Sequence, residues 1–230
     1  GRGAGDGGPR QRMHRVRAAS VVLASGAHER PLVFASNDVP GCMTASAVSH
    51  YIRRFAVVPG RRLVVVTAND GGYRAAFDWQ DAGREVVAVV DARREPEGAA
   101  FEEATRRGLD VVPGSVVVEA KGARRVRAAL VAPVDAAAGF VVGETRRLDC
   151  DTIASSGGWS PAVHLSCHTG SRPVWNEEAL GFVPGETIEN CFPGGSVVGE
   201  VALGACLASG IRAAGDALAA AGVGADGRGS

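Results

Sequence analysis

The pattern of apolar and polar positions is most regular between residues 61 and 91. Residues 62–67 form a continuous apolar, largely β-branched run, which is typical of a strand buried on both faces. A turn at 68–72 interrupts this run and opens a predicted helix over 73–81, and residues 85–90 predict a second buried strand that ends on Asp91. The pattern predicts one complete β-α-β unit, the building block of nucleotide-binding folds.

The rest of the chain alternates in the same way between strand-like and helix-like segments. Short apolar runs bounded by turn residues predict further strands at 13–23, 109–112, 115–120, 126–131, 151–155 and 187–192. Apolar residues at helical spacing predict further helices at 44–55, 98–107, 162–168 and 199–221. Residues 1–12 and 222–230 are of low complexity and are predicted to be disordered.

Composition and charge exclude several classes of function. The 230 residues are 46% hydrophobic and 22% charged, as in an ordinary globular protein that can form one large domain or two small ones. The formal net charge is zero, so no electrostatic case exists for binding nucleic acid or an anionic membrane. No apolar run reaches the roughly 18 residues of a membrane span, and no signal-peptide pattern opens the chain.

The five cysteines are widely spaced, and no C-x-x-C occurs among them. This spacing indicates neither a zinc site nor a redox dithiol, and it favours reduced thiols in a cytoplasmic protein. His164 and His168 stand four residues apart in a predicted helix, but no third ligand accompanies them. The serines lack a G-x-S-x-G elbow. The sequence therefore predicts no metal site and identifies no catalytic residue.

The turn of the β-α-β unit is the first candidate binding site. Asn69 and Gly71 lie where a nucleotide-binding fold holds phosphate, and Asp91 lies where such a fold holds the ribose hydroxyls. The turn itself carries no G-x-G-x-x-G, and the carboxylate of Asp70 would repel a phosphate. The alternative interpretation of this turn is a tight strand-to-helix connection without a ligand.

Two other turns of small residues form the second candidate site. Residues 24–27 follow a predicted strand, and residues 193–199 join another strand to a predicted helix start, a geometry that faces anions. The alternative for both is close packing of a helix on a strand. The residues selected as cofactor contacts in these turns are Ser25, Gly26, Ala27, Gly194, Gly195, Ser196 and Gly199.

Several segments, in order, carry a resemblance to a known family. VVLASGAHERP at 21–31 and IASSGGWSP at 153–161 resemble the two crossovers of FAD/NAD(P)-binding folds of the disulfide-reductase type, in which an NAD-type domain interrupts an FAD-type domain. Within that superfamily, VPGRRLVVVTANDGGYRAA, VVDARRE and SSGGWSPAVHL resemble the alpha subunit of heterotetrameric sarcosine oxidase. The resemblance extends from about residue 16 to about residue 220.

The resemblance implies an α/β, Rossmann-like fold with a nested arrangement of domains. An inserted NAD-type domain is expected at 57–150. An incomplete FAD-type domain is expected from residues 13–56 together with 151–221. Compared with that family, the chain lacks the N-terminal strand–G-x-G-x-x-G–helix unit, so a middle fragment or a truncated gene product is expected, inactive by itself and a weak binder of dinucleotides.

The resemblance also implies a reaction, cofactors and partners. The family's reaction is oxidative demethylation of sarcosine to glycine, with formation of hydrogen peroxide and of formaldehyde or methylenetetrahydrofolate. The family implies a structural NAD on this chain, with FAD and FMN held mainly by or with a beta subunit, and further smaller subunits in the complex. Two alternatives remain open, a non-catalytic assembly fragment and the alpha subunit of a related amine or opine dehydrogenase.

Overall fold

The computed structural model describes residues 11–135 and 139–223. The described chain forms two compact units. One is His28–Ser160, and the other joins the described residues up to Ala27 with those from Pro161 onward. The domain limits expected at 57 and 150 fall inside the first unit, because strands from both flanks of that segment join its sheet. Most of the two predicted disordered ends lies outside the described residues.

The helices and strands follow one another closely along the chain. The strands are β1 Val21–Leu23, β2 Ala27–Glu29, β3 Cys42–Thr44, β4 Arg62–Thr67, β5 Glu85–Asp91, β6 Val111–Pro113, β7 Ser115–Lys121, β8 Ala128–Asp135, β9 Phe140–Val141, β10 Arg146–Asp149, β11 Thr152–Ser156, β12 Trp159–Pro161, β13 Val174–Asn176, β14 Gly181–Val183 and β15 Cys191–Pro193. The helices are α1 Ala45–Phe55, α2 Gly71–Asp81, α3 Ala99–Arg106, α4 His164–Cys167 and α5 Leu203–Ala220, with a 3₁₀ turn at Gly195–Val198.

A parallel five-stranded sheet in the order β3-β11-β4-β5-β6 forms the centre of the His28–Ser160 unit. β4 is flanked on both sides, and its residues from Leu63 to Thr67 are buried, which is why its sequence is apolar without alternation. Side chains on successive residues point to opposite faces of the sheet. Leu63 and Val65 pack with the helices, whereas Val64 and Val66 pack with the antiparallel strands.

The two faces of this sheet are covered by different elements. On one face, Val48 of α1 and Tyr73 and Trp79 of α2 complete an apolar core. On the other face lies an antiparallel layer in the order β10-β8-β7. The predicted β-α-β unit and the predicted hairpin are therefore confirmed, and α2 begins two residues earlier than predicted.

The second unit has short strands and one long helix. β1 and β15 pair in parallel, and β13 and β14 pair as an antiparallel hairpin. The predicted helix at 199–221 is wrong at its start. A 3₁₀ turn precedes Gly199, whose φ of 94° ends that turn, and α5 begins only at Leu203. None of the helices among the described residues is long and apolar enough to cross a membrane.

Candidate functional site

The turn between β4 and α2 is closed by the side chain of Asn69. Its Oδ1 accepts a hydrogen bond of 2.7 Å from the backbone N–H of Gly71, the first residue of α2. Its Nδ2 donates to the carbonyl of Ser156 at 3.2 Å, and its own carbonyl accepts from the Thr67 hydroxyl at 2.6 Å. The N–H of Gly71, which would cradle a phosphate at a helix N-terminus, is therefore engaged within the protein.

The side chain of Asp91 is fully buried, and both of its oxygens are engaged. Oδ2 accepts from the Tyr73 hydroxyl at 2.7 Å and from Nη2 of Arg93 at 2.8 Å. Oδ1 accepts from the backbone N–H and the Nε of Arg93 at 2.9 and 3.1 Å. A ribose at this position would have to displace these partners.

Arg93 is the residue that sequence reasoning missed at this turn. Its Nη1 also lies 2.9 Å from Oδ1 of Asp70, so one guanidinium joins two carboxylates. Hydrogen bonding to Asp91 raises the pKa of Arg93, and burial, followed by the hydrogen bond to Asp91, raises the pKa of Tyr73. The available signal was the spacing Asp-x-Arg directly after the strand, which places a cation within reach of the acid.

The carboxyl end of β11, beside that of β4, is also occupied by the chain itself. Open parallel sheets bind ligands in the crevice where the strand order reverses. Here the N–H of Gly157 donates to the carbonyl of Arg30 at 2.7 Å, and the N–H of Arg30 donates to the carbonyl of Gly158 at 2.8 Å. A Cβ on Gly157 would lie 3.1 Å from Cδ2 of Leu32, so the backbone here packs against its own segment.

In the other unit, the two turns predicted as one candidate site lie together. β1 and β15 are parallel, so Leu23 and Pro193 end side by side, and the N–H of Gly194 donates to the carbonyl of Leu23 at 2.9 Å. A Cβ on Gly26 would lie 3.9 Å from Oγ of Ser196, with no other neighbour within 4 Å. The turns that follow the two strands therefore lie next to each other.

The glycines of these paired turns differ in what surrounds them. A Cβ on Gly194 would lie 3.0 Å from that of Ala213 on α5, and one on Gly199 would lie 3.0 Å from that of Ala179. These two positions are explained by close packing. A Cβ on Gly195, whose φ is 79°, would meet no atom within 4 Å, although the N–H of this residue donates to Oγ of Ser209 at 3.1 Å.

The remaining predicted contacts of this site lie at the start of the crossover. The hydroxyl of Ser25 donates to the carbonyl of Ala162 at 2.9 Å, and the N–H of Ala162 donates to the carbonyl of Gly26 at the same distance. Ala27 begins β2, which pairs with β12. These bonds fix the backbone of the first turn. Because α5 begins at Leu203, its N-terminus does not directly follow the glycines of the second turn.

Titratable groups elsewhere in the described chain form no reactive cluster. No group of three or more His, Cys, Asp or Glu side chains suited to a metal occurs among the described residues. All five cysteines lie in the described part of the chain, and each is a free thiol. Burial raises the pKa of Cys42 to about 11 and that of Cys150 to about 12, so both thiols stay protonated and unreactive at neutral pH.

The His28–Ser160 unit contains an apolar cavity of about 360 Å³. Its walls include Leu32, Phe34, Val66 and Val117, and the lining residues are aliphatic or aromatic without exception. None of these lining side chains could orient a ligand by a hydrogen bond or transfer a proton.

Several known proteins are similar to this chain in sequence. No family model matches it. It is 37% identical over 218 residues to the alpha subunit of sarcosine oxidase from Corynebacterium sp. (strain P-1), covering 95% of this chain and 22% of that protein. It is 36% identical over 202 residues to the corresponding protein of Rhizobium meliloti (strain 1021), covering 88% and 19%. One of the subunits of opine oxidase from Agrobacterium tumefaciens (strain Ach5) is 25% identical over 192 residues, covering 74% of this chain and 36% of that protein.

Solved structures show the fold. Thioredoxin reductase of T. acidophilum superposes with a TM-score of 0.64 at 16% identity, over 88% of this chain and 64% of that one. A pyridine nucleotide-disulphide oxidoreductase from Desulfovibrio vulgaris, described as FAD-dependent, superposes with a TM-score of 0.55 at 20% identity, over 80% and 47%. The predicted FAD/NAD(P)-binding fold of the disulfide-reductase type is confirmed.

The predicted resemblance to sarcosine oxidase alpha subunits is confirmed as well. The chain resembles one segment of those proteins, since it spans about a fifth of the length of the alpha subunits that it matches.

Proposed function

We propose that this chain is the nucleotide-binding portion of a sarcosine oxidase alpha-type subunit. Such a protein would support oxidative demethylation of sarcosine to glycine, with formation of hydrogen peroxide and of formaldehyde or methylenetetrahydrofolate. The support is identity of 36 to 38% to three sarcosine oxidase alpha subunits along 88 to 95% of this chain. The disulfide-reductase-type fold, which is built to hold dinucleotides, agrees with this proposal.

The dinucleotide, which we propose is NAD, lies against the paired turns after β1 and β15. The observation that carries this placement is the room beside two glycines in the left-handed region with φ of 79°: a Cβ on Gly195 would meet no atom within 4 Å, and one on Gly26 would meet only Oγ of Ser196. Glycine permits this conformation and leaves the backbone accessible to a ligand. The hydroxyl of Ser196 lies opposite Gly26 and offers a polar contact.

The chain's own role is to bind and orient, since the residues of these turns carry no titratable side chain. FAD, held by the beta subunit, and FMN, held between the two subunits, would accept the electrons of the amine. The beta subunit, the smaller subunits, sarcosine and tetrahydrofolate are the partners that this assignment requires.

The test compares two glycines with the same backbone conformation. Gly195 and Gly83 both have positive φ, and a Cβ on either residue would meet no atom within 4 Å. In the assembled oxidase, Gly195→Ala is expected to lower the NAD that remains bound after gel filtration at least about tenfold, because the new methyl group occupies ligand space. Gly83→Ala carries the same backbone strain and is expected to retain NAD. Equal NAD content in both variants would contradict the placement.

The reaction itself is tested by oxygen uptake. The complex with the beta subunit is expected to consume oxygen when sarcosine is added.

A second candidate function is that of the alpha subunit of an oxidase for a related amine, which the 25% identity to the opine oxidase protein favours. Oxygen uptake with an opine and none with sarcosine would support that candidate. If the beta subunit consumes oxygen with sarcosine equally well without this chain, the chain instead has a non-catalytic assembly role.

A further inference from the structure

The β13–β14 hairpin exposes a group of large apolar side chains. We call Trp175, Leu180 and Phe182 the hairpin patch. Each is between 50 and 57% exposed. The strand register places Trp175 opposite Phe182, and their rings meet edge to face with centroids 5.4 Å apart. The two aromatic rings therefore form one continuous surface.

This hairpin is not stabilised by a larger sheet. β13 and β14 pair only with each other among the described strands, so the hairpin packs on its unit through side chains such as Val183, which is buried, and not through a neighbouring strand. Leu180 adds strain, because its φ of 46° lies in the left-handed region, where a residue with a Cβ loses about 1 kcal/mol or more. Strained backbone of this kind concentrates at functional positions.

Acidic side chains surround the hairpin patch in sequence. The segment from 172 to 190 contains one arginine, Arg172, and four exposed glutamates, which are Glu177, Glu178, Glu186 and Glu189. None of the four forms a salt bridge within the part of the chain that the structure describes. The segment therefore presents apolar surface together with unpaired negative charge.

We propose that the hairpin patch docks another protein subunit whose contact face is apolar and edged by lysine and arginine. An apolar patch with a polar rim is the usual anatomy of a protein interface. Tryptophan at the centre of such a patch is among the residues that contribute most to binding. The unpaired glutamates select a basic edge on the partner and disfavour an anionic membrane. This inference rests on the proposed function, in which the partner is the beta subunit.

The test measures the affinity of the chain for the co-expressed and purified beta subunit. The double variant Trp175→Ser with Phe182→Ser is expected to raise the Kd about thirtyfold or more. The double variant Glu177→Lys with Glu178→Lys alters only exposed turn positions, so it leaves the hairpin's packing intact. It is expected to slow association and to weaken the dependence of the association rate on salt. Phe55→Ser is the control, since Phe55 is an equally exposed aromatic residue, in contact with His50 and outside the patch.

The outcomes separate the two proposals. If wild type and both double variants bind the beta subunit equally, the docking proposal is overturned and the proposed function stands. If the complex forms through the patch but consumes no oxygen with sarcosine, the proposed function alone is contradicted. If the serine variant weakens self-association and leaves binding to the beta subunit unchanged, the patch is covered by a second copy and the proposal is overturned.

Discussion

The turn after β4 and the paired turns after β1 and β15 follow parallel strands, yet their surroundings are opposite. After β4, Asn69 engages the first N–H of α2, and Arg93 and Tyr73 engage the carboxylate of Asp91. After β1 and β15, a Cβ on Gly195 would meet no atom within 4 Å, and one on Gly26 would meet only Oγ of Ser196. The more regular β-α-β unit is therefore the one whose turn is filled by the protein's own side chains. Space that the protein leaves beside the backbone of a turn is a better guide to a ligand site than the regularity of the strand.

The largest effect is expected from Asp91→Ala. The substitution leaves the Tyr73 hydroxyl and part of the Arg93 guanidinium without a partner beside a buried space, at a cost of about 3 kcal/mol in the free energy of unfolding. Bound NAD should be unaffected. Chemical denaturation measures the first quantity, and NAD content after gel filtration measures the second.

The control for this prediction is Asp149→Ala, which breaks the exposed pair of Asp149 with Arg147 and should cost less than about 1 kcal/mol. If Asp91→Ala instead removed NAD without lowering stability, Asp91 would be a ribose ligand and the comparison of the two turns would be reversed.

A second prediction applies one substitution to both turns. A Cβ on Gly72 would lie 2.5 Å from Cβ and Oγ1 of Thr67, so Gly72→Ala forces α2 away from β4 and should cost about 2 kcal/mol of stability. Gly195→Ala meets no neighbour and should cost about 1 kcal/mol from its positive φ. Thermal unfolding of both variants measures the difference. A larger loss for Gly195→Ala would mean that its open space is filled by protein.

Which features the sequence predicted depends on how local their causes are. β4, α2 and β5 follow from continuous apolar runs and one turn within about 30 residues, and they are confirmed. The limits of the first unit depend on β11 pairing with β4, about 90 residues earlier in the chain, and no local pattern encodes that pairing. The start of α5 was missed because Gly199 was interpreted as part of the helix rather than as the end of a 3₁₀ turn.

The candidate sites show the same division. The sequence predicted both glycine turns after β1 and β15, because small residues after a strand are a local signal. It did not predict that Arg93 joins Asp70 and Asp91, because the position of Asp70 relative to β5 depends on how α2 packs. The hairpin patch was missed for a related reason, since the exposure of Trp175 is a property of the folded chain.

A third prediction concerns pH and the closed turn. The pKa of Tyr73 is raised in the folded protein, so its contribution to stability is present below the usual tyrosine pKa of about 10. It is lost as pH rises from that value towards the folded pKa, because only the unfolded chain then ionises, at about 1.4 kcal/mol per pH unit. Tyr73→Phe should cost about 1 kcal/mol at pH 7 and should flatten the alkaline loss. Denaturation at pH 9 to 11 measures this difference, and Tyr51→Phe on the exposed surface of α1 is the control. An unchanged slope would contradict the prediction.

The smallest effect is expected from Asn69→Ala. The substitution frees the N–H of Gly71 and removes the bond to the carbonyl of Ser156. Because Gly71 is exposed to solvent, the loss of these hydrogen bonds should cost about 0.5 kcal/mol. An exposed helix N-terminus attracts anions. The variant therefore also tests whether the side chain of Asn69 is sufficient to prevent phosphate binding at this turn. We expect it to gain no measurable affinity for AMP by calorimetry, since Arg93, the cation beside this turn, stays engaged by Asp70 and Asp91. Binding of AMP by the variant, absent in wild type, would show that the difference between the two turns depends on one amide side chain rather than on the whole network.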